Sequence, residues 1–594
     1  MRRSILSRLR LSEQTQMILL GMGTGVVVGY AAVLFILLVE VMQVAFFGQA
    51  GHLFVIVKDV PRIRIILVPA LGGLATGLTI YYLAREAGGH GVTEVMEAIA
   101  LKSGLIRGRV ALVKILASAF TLGSGGSVGR EGPIVQIGAA ISSKIGQIVG
   151  ANERQLRTLA GCGAAAGIAA VFNAPIAGAI FALEVVLGDF ALATFAPIVL
   201  ASVMGTVAAQ SELGNYPSFE APPYQVHSPF FETPLYVLLG ILAGLVSVAF
   251  IRGLEASETR FDKLKTWEPL KTAIGGLMIG LIGLFVPHVM GGGYEVMTNI
   301  LFDRISWVLL TVLLGLKLLS TCITVSSGGS GGTFAPALFL GMALGGAFGH
   351  LMQWLFPGHT AAPGAYALVG MGAVLAGSAH APLTALLLAF EITNNYQTIL
   401  PVMIACSLSA IISRRYAGES IYTRKLVRRG INLRAGREIH ILRALTVSGS
   451  MHRNVTCVQE NMKFGELLDF VSRSRYSDFP VLDERGRLVG MIGFQHFREV
   501  AFEKGLEDVI IVRDLMNPDV VTVTEGDDLH RALDRISSRD MEQMPVVDVN
   551  DASRVVGMIS RRDILTAYNK ALVQLSTPTP REREPKPPPP VKTS

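Results

Sequence analysis

Gly129-Arg130-Glu131-Gly132-Pro133 and Gly332-Thr333-Phe334-Ala335-Pro336 each set a glycine turn just ahead of an apolar run. In each the proline falls in what would be the first helical turn, where its missing N–H costs least. A helix starting there offers free backbone N–H groups and the positive end of its dipole, which is how a protein holds an anion without a full cation nearby. Two such starts, pointing at each other from opposite directions, would make an anion site. The phosphate-binding string that ends in Gly-Lys-Ser/Thr is absent, so this is not a nucleotide site of that kind. Glu131 is out of keeping with the rest, being a carboxylate where anions are to bind. It either complements the dipole of its own helix or competes with the anion, filling the site when ionised and leaving it when protonated.

The elements that must position these strings are membrane helices. Of 594 residues, 51% are hydrophobic and 16% charged, against roughly a quarter charged in a soluble chain. Residues 431–594 hold 23 Lys+Arg and 24 Asp+Glu, so a membrane body, 1–430, precedes a soluble tail. The net charge of +7 does not point to nucleic acid, because the tail is nearly neutral and the excess basic residues flank apolar segments, where they set orientation in a bilayer. Arg2, Arg3, Arg8 and Arg10 precede an apolar run from about Met17 to Phe47, too long for a signal peptide and read as the first membrane helix. The last apolar segment, about Ile399–Ile412, runs into Arg414, Arg415, Arg424, Lys425, Arg428 and Arg429. Both termini are therefore expected in the cytoplasm, with the protein in the cell inner membrane. Cys162, Cys322, Cys406 and Cys457 form neither a disulfide framework nor a zinc pattern, and no metal is expected.

The membrane body repeats itself. Lys114, Ser124-Gly125-Gly126-Ser127 and Pro133 recur as Lys317, Ser327-Gly328-Gly329-Ser330 and Pro336, all at an offset of 203. Glu94-Val95-Met96 returns as Glu295-Val296-Met297, and Ala174-Pro175 with Glu184 as Ala381-Pro382 with Glu391. The halves run from about 15 to 211 and from 234 to 428. The stretch Ser211–Thr233, with Glu212, Glu220 and Glu232, carries no Lys or Arg and is expected outside, which makes the second half inverted relative to the first. Lys58, Arg62 and Arg64 would then also lie outside. Ile134–Val149, Ala174–Leu187 and Ala381–Phe390 fall short of the ~20 residues needed to span and read as half-helices meeting inside the protein. Lys114 and Lys317 are intramembrane cations that either set a favourable potential or pair with Glu94, Glu97 or Glu295.

The tail is duplicated as well. Phe479-Pro480-Val481-Leu482-Asp483 with Gly490-Met491-Ile492 recurs as Met544-Pro545-Val546-Val547-Asp548 with Gly557-Met558-Ile559. Short β-branched runs alternate with amphipathic stretches such as Asp527–Ser537, which predicts small α/β units. The pattern resembles a tandem pair of CBS domains, 445–507 and 509–572, behind a linker at 431–444. Residues 573–594, with Pro585 and Pro587–Pro590, are too polar and proline-rich to fold.

Taken together, the strings resemble those of the CLC chloride channel and transporter family. Gly129–Pro133 is similar to its GREGP motif, Gly331–Pro336 to its GGxFAP motif and Gly89-His90-Gly91-Val92-Thr93-Glu94 to its GSGIPE motif, while Tyr422 matches the tyrosine on its last membrane helix. The resemblance covers about residues 15–430, and the CBS pair is a common attachment in that family. It implies an all-α polytopic membrane fold with an inverted repeat and broken half-helices, followed by a cytoplasmic α/β CBS tandem. It also implies a homodimer with one chloride pathway per subunit. Carried over, backbone amides at Thr333 and Phe334 and the Tyr422 hydroxyl hold a central anion, amides around Arg130, Glu131 and Gly132 serve an outer site, and Glu131 is the gating glutamate. Two positions depart from the family. The usual central-site serine is His90, flanked by Gly89 and Gly91 and expected to contact the anion through a ring N–H. The antiporters' inner proton-transfer glutamate is Val185, which cannot carry a proton.

On that ground a passive chloride channel gated by Glu131 is favoured over a chloride/proton antiporter, which would need water or another acid such as Asp189 as relay. The protein is not expected to be an enzyme. A CBS-bearing membrane protease would need His-Glu-x-x-His, which does not occur. A CBS-regulated cation transporter would need converging carboxylates rather than N–H donors. In the tail, Ser560-Arg561-Arg562-Asp563 fits an adenine nucleotide (ATP, ADP or AMP), Asp563 accepting from the ribose. In the first CBS copy the equivalent residues are Gly493 and His496, so one site per chain is expected. No cofactor is required.

Overall fold

Apolar runs in lipid become helices because the backbone there has to satisfy its own N–H and C=O groups. The computed structural model describes residues 12–49, 51, 53–215, 219, 221, 222, 224, 229–393, 396–429, 431, 442, 445–474, 478–498, 500, 506–539 and 541–576. The four N-terminal arginines, Glu220, most of the 431–444 linker and residues 577–594 lie outside the described residues, whereas 573–576, expected as part of the unfolded tail, end the helix Arg561–Ser576. The chain divides into two units, Met1–Asn432 and Leu433–Ser594.

The first half of the membrane unit runs α1 (Glu13–Phe47), α2 (Leu53–Asp59), α3 (Arg62–Leu83), α4 (Val92–Leu101), α5 (Arg109–Gly123), α6 (Glu131–Val149), α7 (Glu153–Phe172), α8 (Pro175–Phe181) and α9 (Leu192–Leu213). The second runs α10 (Pro229–Lys263), α11 (Glu268–Phe285), α12 (Tyr294–Leu301), α13 (Trp307–Ser326), α14 (Phe334–Leu355), α15 (Pro363–Ala379), α16 (Pro382–Thr393), α17 (Ile399–Ala417) and α18 (Thr423–Arg428). Among the described residues, nine helices are long and apolar enough to cross a membrane. One element is longer than expected. The motif residues Glu131, Gly132 and Pro133 form the first turn of α6, so the stretch read as Ile134–Val149 is a helix of 19 residues.

The two halves use the same contacts. Glycines let α3 and α11, in which Ala70, Gly72 and Gly73 recur as Ala273, Gly275 and Gly276 at the offset of 203, approach backbone to backbone, since a Cβ on Gly77 would lie 2.6 Å from Pro269 Cα and one on Gly280 2.8 Å from Ile66 Cα. The Thr121 hydroxyl accepts from Ser330 N–H at 3.1 Å, and Thr324, its equivalent at the offset of 203, accepts from Ser127 N–H at 3.2 Å. The inverted repeat read in the sequence is thus a pseudo-twofold in which each half donates to the other.

In the second unit, β1 (Val458–Gln459) pairs in parallel with β2 (Asp478–Leu482), which pairs antiparallel with β3 (Leu488–Gly493). The second copy repeats this with β4 (Val523–Thr524), β5 (Gln543–Val547) and β6 (Val555–Ser560). Each sheet buries one face under an amphipathic helix, Phe464–Arg473 or Leu529–Ser538. The cores correspond, with Phe464, Leu467, Val481 and Ile492 in one and Leu529, Ala532, Val546 and Ile559 in the other.

Candidate functional site: the meeting of the glycine turns

The two glycine strings pair directly. Gly129 N–H donates to Gly332 O at 2.8 Å and Gly332 N–H to Gly129 O at 2.7 Å, an isolated antiparallel bridge between the turns that open α6 and α14. A third turn closes on them, because a Cβ on Gly132 would collide with His90 O and lie 2.7 Å from Gly332 Cα. Glycine at 132 is therefore a packing requirement of three crossing backbones. Gly91, at φ +89, needs glycine for its conformation.

Glu131 is fully buried at the first position of α6. Its carboxylate also reaches beyond its own helix. Oε2 accepts from Ala335 N–H at 3.4 Å, in the first turn of α14, and Oε1 from the Tyr294 hydroxyl. The half-buried Arg130 guanidinium lies over the Tyr294 ring, 4.5 Å from its centroid. Tyr294 opens α12 just after the Gly291–Gly293 cluster, and sequence reasoning missed it. Its signal is its place beside Glu295, the repeat partner of Glu94.

His90, Thr333, Phe334 and Tyr422, which gather near the same turns, are all buried. The Thr93 hydroxyl donates to Tyr422 O at 3.2 Å, and the Phe181 ring sits edge-on to both Phe334 and Tyr422, at 5.7 and 6.5 Å. Both ring nitrogens of His90, the Thr333 hydroxyl and the Tyr422 hydroxyl are buried without a hydrogen-bond partner in the chain. Such groups cost about 1–3 kcal/mol each when left unpaired. Their gathering in one region is the sign of a place where something polar binds. At His90 a narrow, partly open pocket is lined by Glu258 and Glu255 from α10 and by Arg424, Lys425 and Arg428 from the α18 end.

Lys114 and Lys317 each hold a glycine turn. Lys114 Nζ donates to Ala87 O at 3.1 Å and Gly89 O at 2.7 Å; Lys317 Nζ donates to Val289 O at 3.0 Å and Gly291 O at 2.8 Å. The partners are carbonyls rather than the carboxylates weighed from the sequence. Glu94 instead bonds Gly91 N–H at 2.8 Å and pairs with Lys425 at 3.0 Å.

Val185 is buried in a π-turn, Ala182–Leu187, that extends α8. Next to it, Glu184 takes the N–H groups of Leu383 and Thr384 at the start of α16, and Glu391 takes those of Ile176 and Ala177 at the start of α8. These two short helices thus fill each other's N-termini with carboxylates. Asp189 is exposed and caps Ala191 N–H. In the second unit, Asp563 Oδ2 accepts from Ser560 N–H at 2.9 Å and from its hydroxyl at 2.6 Å, while Oδ1 pairs with His452 at 2.8 Å.

A polytopic inverted repeat whose glycine turns meet over a buried carboxylate defines the class. Residues 72–414 match the family model described as voltage gated chloride channel, and the chain belongs to that family. Residues 444–503 and 512–570 match the CBS domain. The chain is 36% identical over 367 residues to a ClcB-like chloride channel protein of Ralstonia nicotianae, covering 61% of this chain and 85% of that one. To the voltage-gated ClC-type chloride channel ClcB of Escherichia coli O9:H4 it is 34% identical over 384 residues, 63% of this chain and 90% of that one. Among solved structures, a slow cyanobacterial Cl−/H+ antiporter superposes with a TM-score of 0.64 at 26% identity, over 70% of this chain and 98% of the other. The chain is accordingly an integral membrane protein.

Proposed function

We propose that the chain carries chloride across the membrane along a path past His90, Gly91, Thr333, Phe334 and Tyr422, and that Glu131 closes it. One observation carries the reading: the Glu131 carboxylate lies on Ala335 N–H at the start of α14, where a transported anion would bind. The unpaired donors of His90, Thr333 and Tyr422 form the inner station, and the amides around Arg130, Glu131 and Gly132 the outer one. Protonation removes the charge that makes the carboxylate a competitor, and the path opens. Each subunit of a homodimer holds its own path. The protein lies in the inner membrane with both termini cytoplasmic, a reading supported by the basic residues around α18.

Two modes fit this site. Val185 favours a passive channel, since no titratable group stands at the position of the antiporters' inner acid. The likeness to a Cl−/H+ antiporter structure favours coupled exchange. Reversal potentials of the reconstituted chain under a chloride gradient separate them. A potential that ignores an added pH gradient means a channel, and one that shifts with it means exchange. A chain that carries no chloride current or flux at all sinks the reading.

At the CBS pair, Ser560 and Asp563 take an adenine nucleotide, with the ribose hydroxyls replacing His452 on Asp563. Calorimetry with ATP, ADP and AMP on wild type and D563A tests this. Heats that are absent in the wild type at millimolar nucleotide rule it out.

A further inference from the structure

The inner proton route that Val185 cannot provide has a candidate elsewhere in the fold. Glu258, near the basic end of α10, points Oε1 at His90 Nε2, 3.6 Å away. The histidine is 1% exposed and neither nitrogen is hydrogen-bonded, whereas Glu258 is half-buried and opens onto the pocket at that end. Glu258 is held for the task. Its other oxygen is paired with Arg428 at 3.3 Å, and Arg428 is itself fixed to Asp262 at 2.8 Å. The remaining charges around the pocket are mutually engaged: Lys425 with Glu94 at 3.0 Å and Arg424 with Glu255 at 2.6 Å. His90 and Glu258 are thus the titratable pair that joins the pocket to the meeting of the glycine turns.

We propose that Glu258 and His90 form the cytoplasmic proton port of this protein, making it a chloride/proton exchanger. The inference rests on the chloride-transport reading and takes its exchange branch. Glu258 takes a proton from cytoplasmic water and delivers it to Nε2 directly, once a small side-chain movement closes the 3.6 Å gap to hydrogen-bond length. The imidazolium gives up its Nδ1 proton on the pore side, toward Glu131. Glu258 ends as the carboxylate it began as, and the ring as its other neutral tautomer, which a ring rotation resets. Nothing is oxidised or reduced. A chloride at the inner station stabilises the imidazolium beside it, so anion and proton assist each other's arrival, which an acid at position 185 would not achieve.

The test uses the full chain in liposomes, with chloride efflux and proton uptake recorded separately under an outward chloride gradient. Wild type should drive protons uphill. E258Q should keep chloride efflux while proton uptake falls roughly tenfold or more, E258D should restore part of it, and E255Q, altering a neighbour in the same pocket, should match wild type. An unchanged chloride-to-proton ratio in E258Q overturns the proposal, as does wild-type chloride flux with no proton movement. Loss of both fluxes in E258Q without recovery in E258D assigns Glu258 to folding and also overturns it. No chloride flux in the wild type instead brings down the transport reading itself.

Discussion

Glu131 lays its charge across a helix start that is not its own, and two substitutions separate its partners. E131Q keeps the shape and removes the charge that competes with an anion. Chloride flux through it should lose its dependence on pH. Flux that still rises on acidification would move the gate elsewhere. Y294F removes the hydroxyl that holds the carboxylate in place. A hydrogen bond to a charged group contributes about 1.5–3 kcal/mol, so the closed-to-open ratio should fall at least about tenfold and neutral-pH flux should rise. At His90, exchange for serine should alter anion permeability ratios, because an imidazole N–H and a hydroxyl differ in reach. Glu131, Thr333 and Tyr422 were legible because motif and repeat mark them. Tyr294 and Glu258 were not, since each acts on a residue more than 160 positions away and no local spacing ties the partners together.

Among the elements, the glycine turns are held by lysine ammonium groups and the short helices α8 and α16 by each other's glutamates. K317M should leave the Val289 and Gly291 carbonyls buried without a donor, at about 1–3 kcal/mol each, and loosen the turn that leads to Tyr294. A lower melting temperature of the solubilised chain, with raised neutral-pH flux, is the expected pair of results. Unchanged values for both would make Lys317 a bystander. The repeat offset announced that Lys114 and Lys317 do the same job, but not which job. Carbonyl oxygens carry no side-chain signature, so a sequence reading favours carboxylate partners. The length of α6 was undercounted because only the apolar run Ile134–Val149 was measured, without the Glu131-Gly132-Pro133 turn that opens the helix.

For the whole molecule, one half-buried carboxylate, Asp527, adds an acid limit to the stability of the second unit. Burial opposes ionisation of Asp527, but bonds from Thr524 N–H and hydroxyl, with Arg531 and Arg535 nearby, outweigh it and hold the carboxyl below its ordinary 3.8. The stabilisation is therefore complete above that value and disappears as pH falls through the lower folded one. D527N should lower the melting temperature of this unit by about 2 °C at pH 7, and the gap should close in strong acid; a gap that persists there would tie it to shape rather than charge. Both duplications, in membrane and tail, were plain in the sequence because they repeat whole strings. What the strings hid is that the membrane halves exchange parts. The turn lysines find their carbonyls within their own half, whereas the α8 N-terminus waits for Glu391, more than 200 residues later in synthesis. A nascent chain can thus set its glycine turns early. The first half cannot seal its short helix until nearly all of the second has left the ribosome, which makes the order of biogenesis a property of the fold.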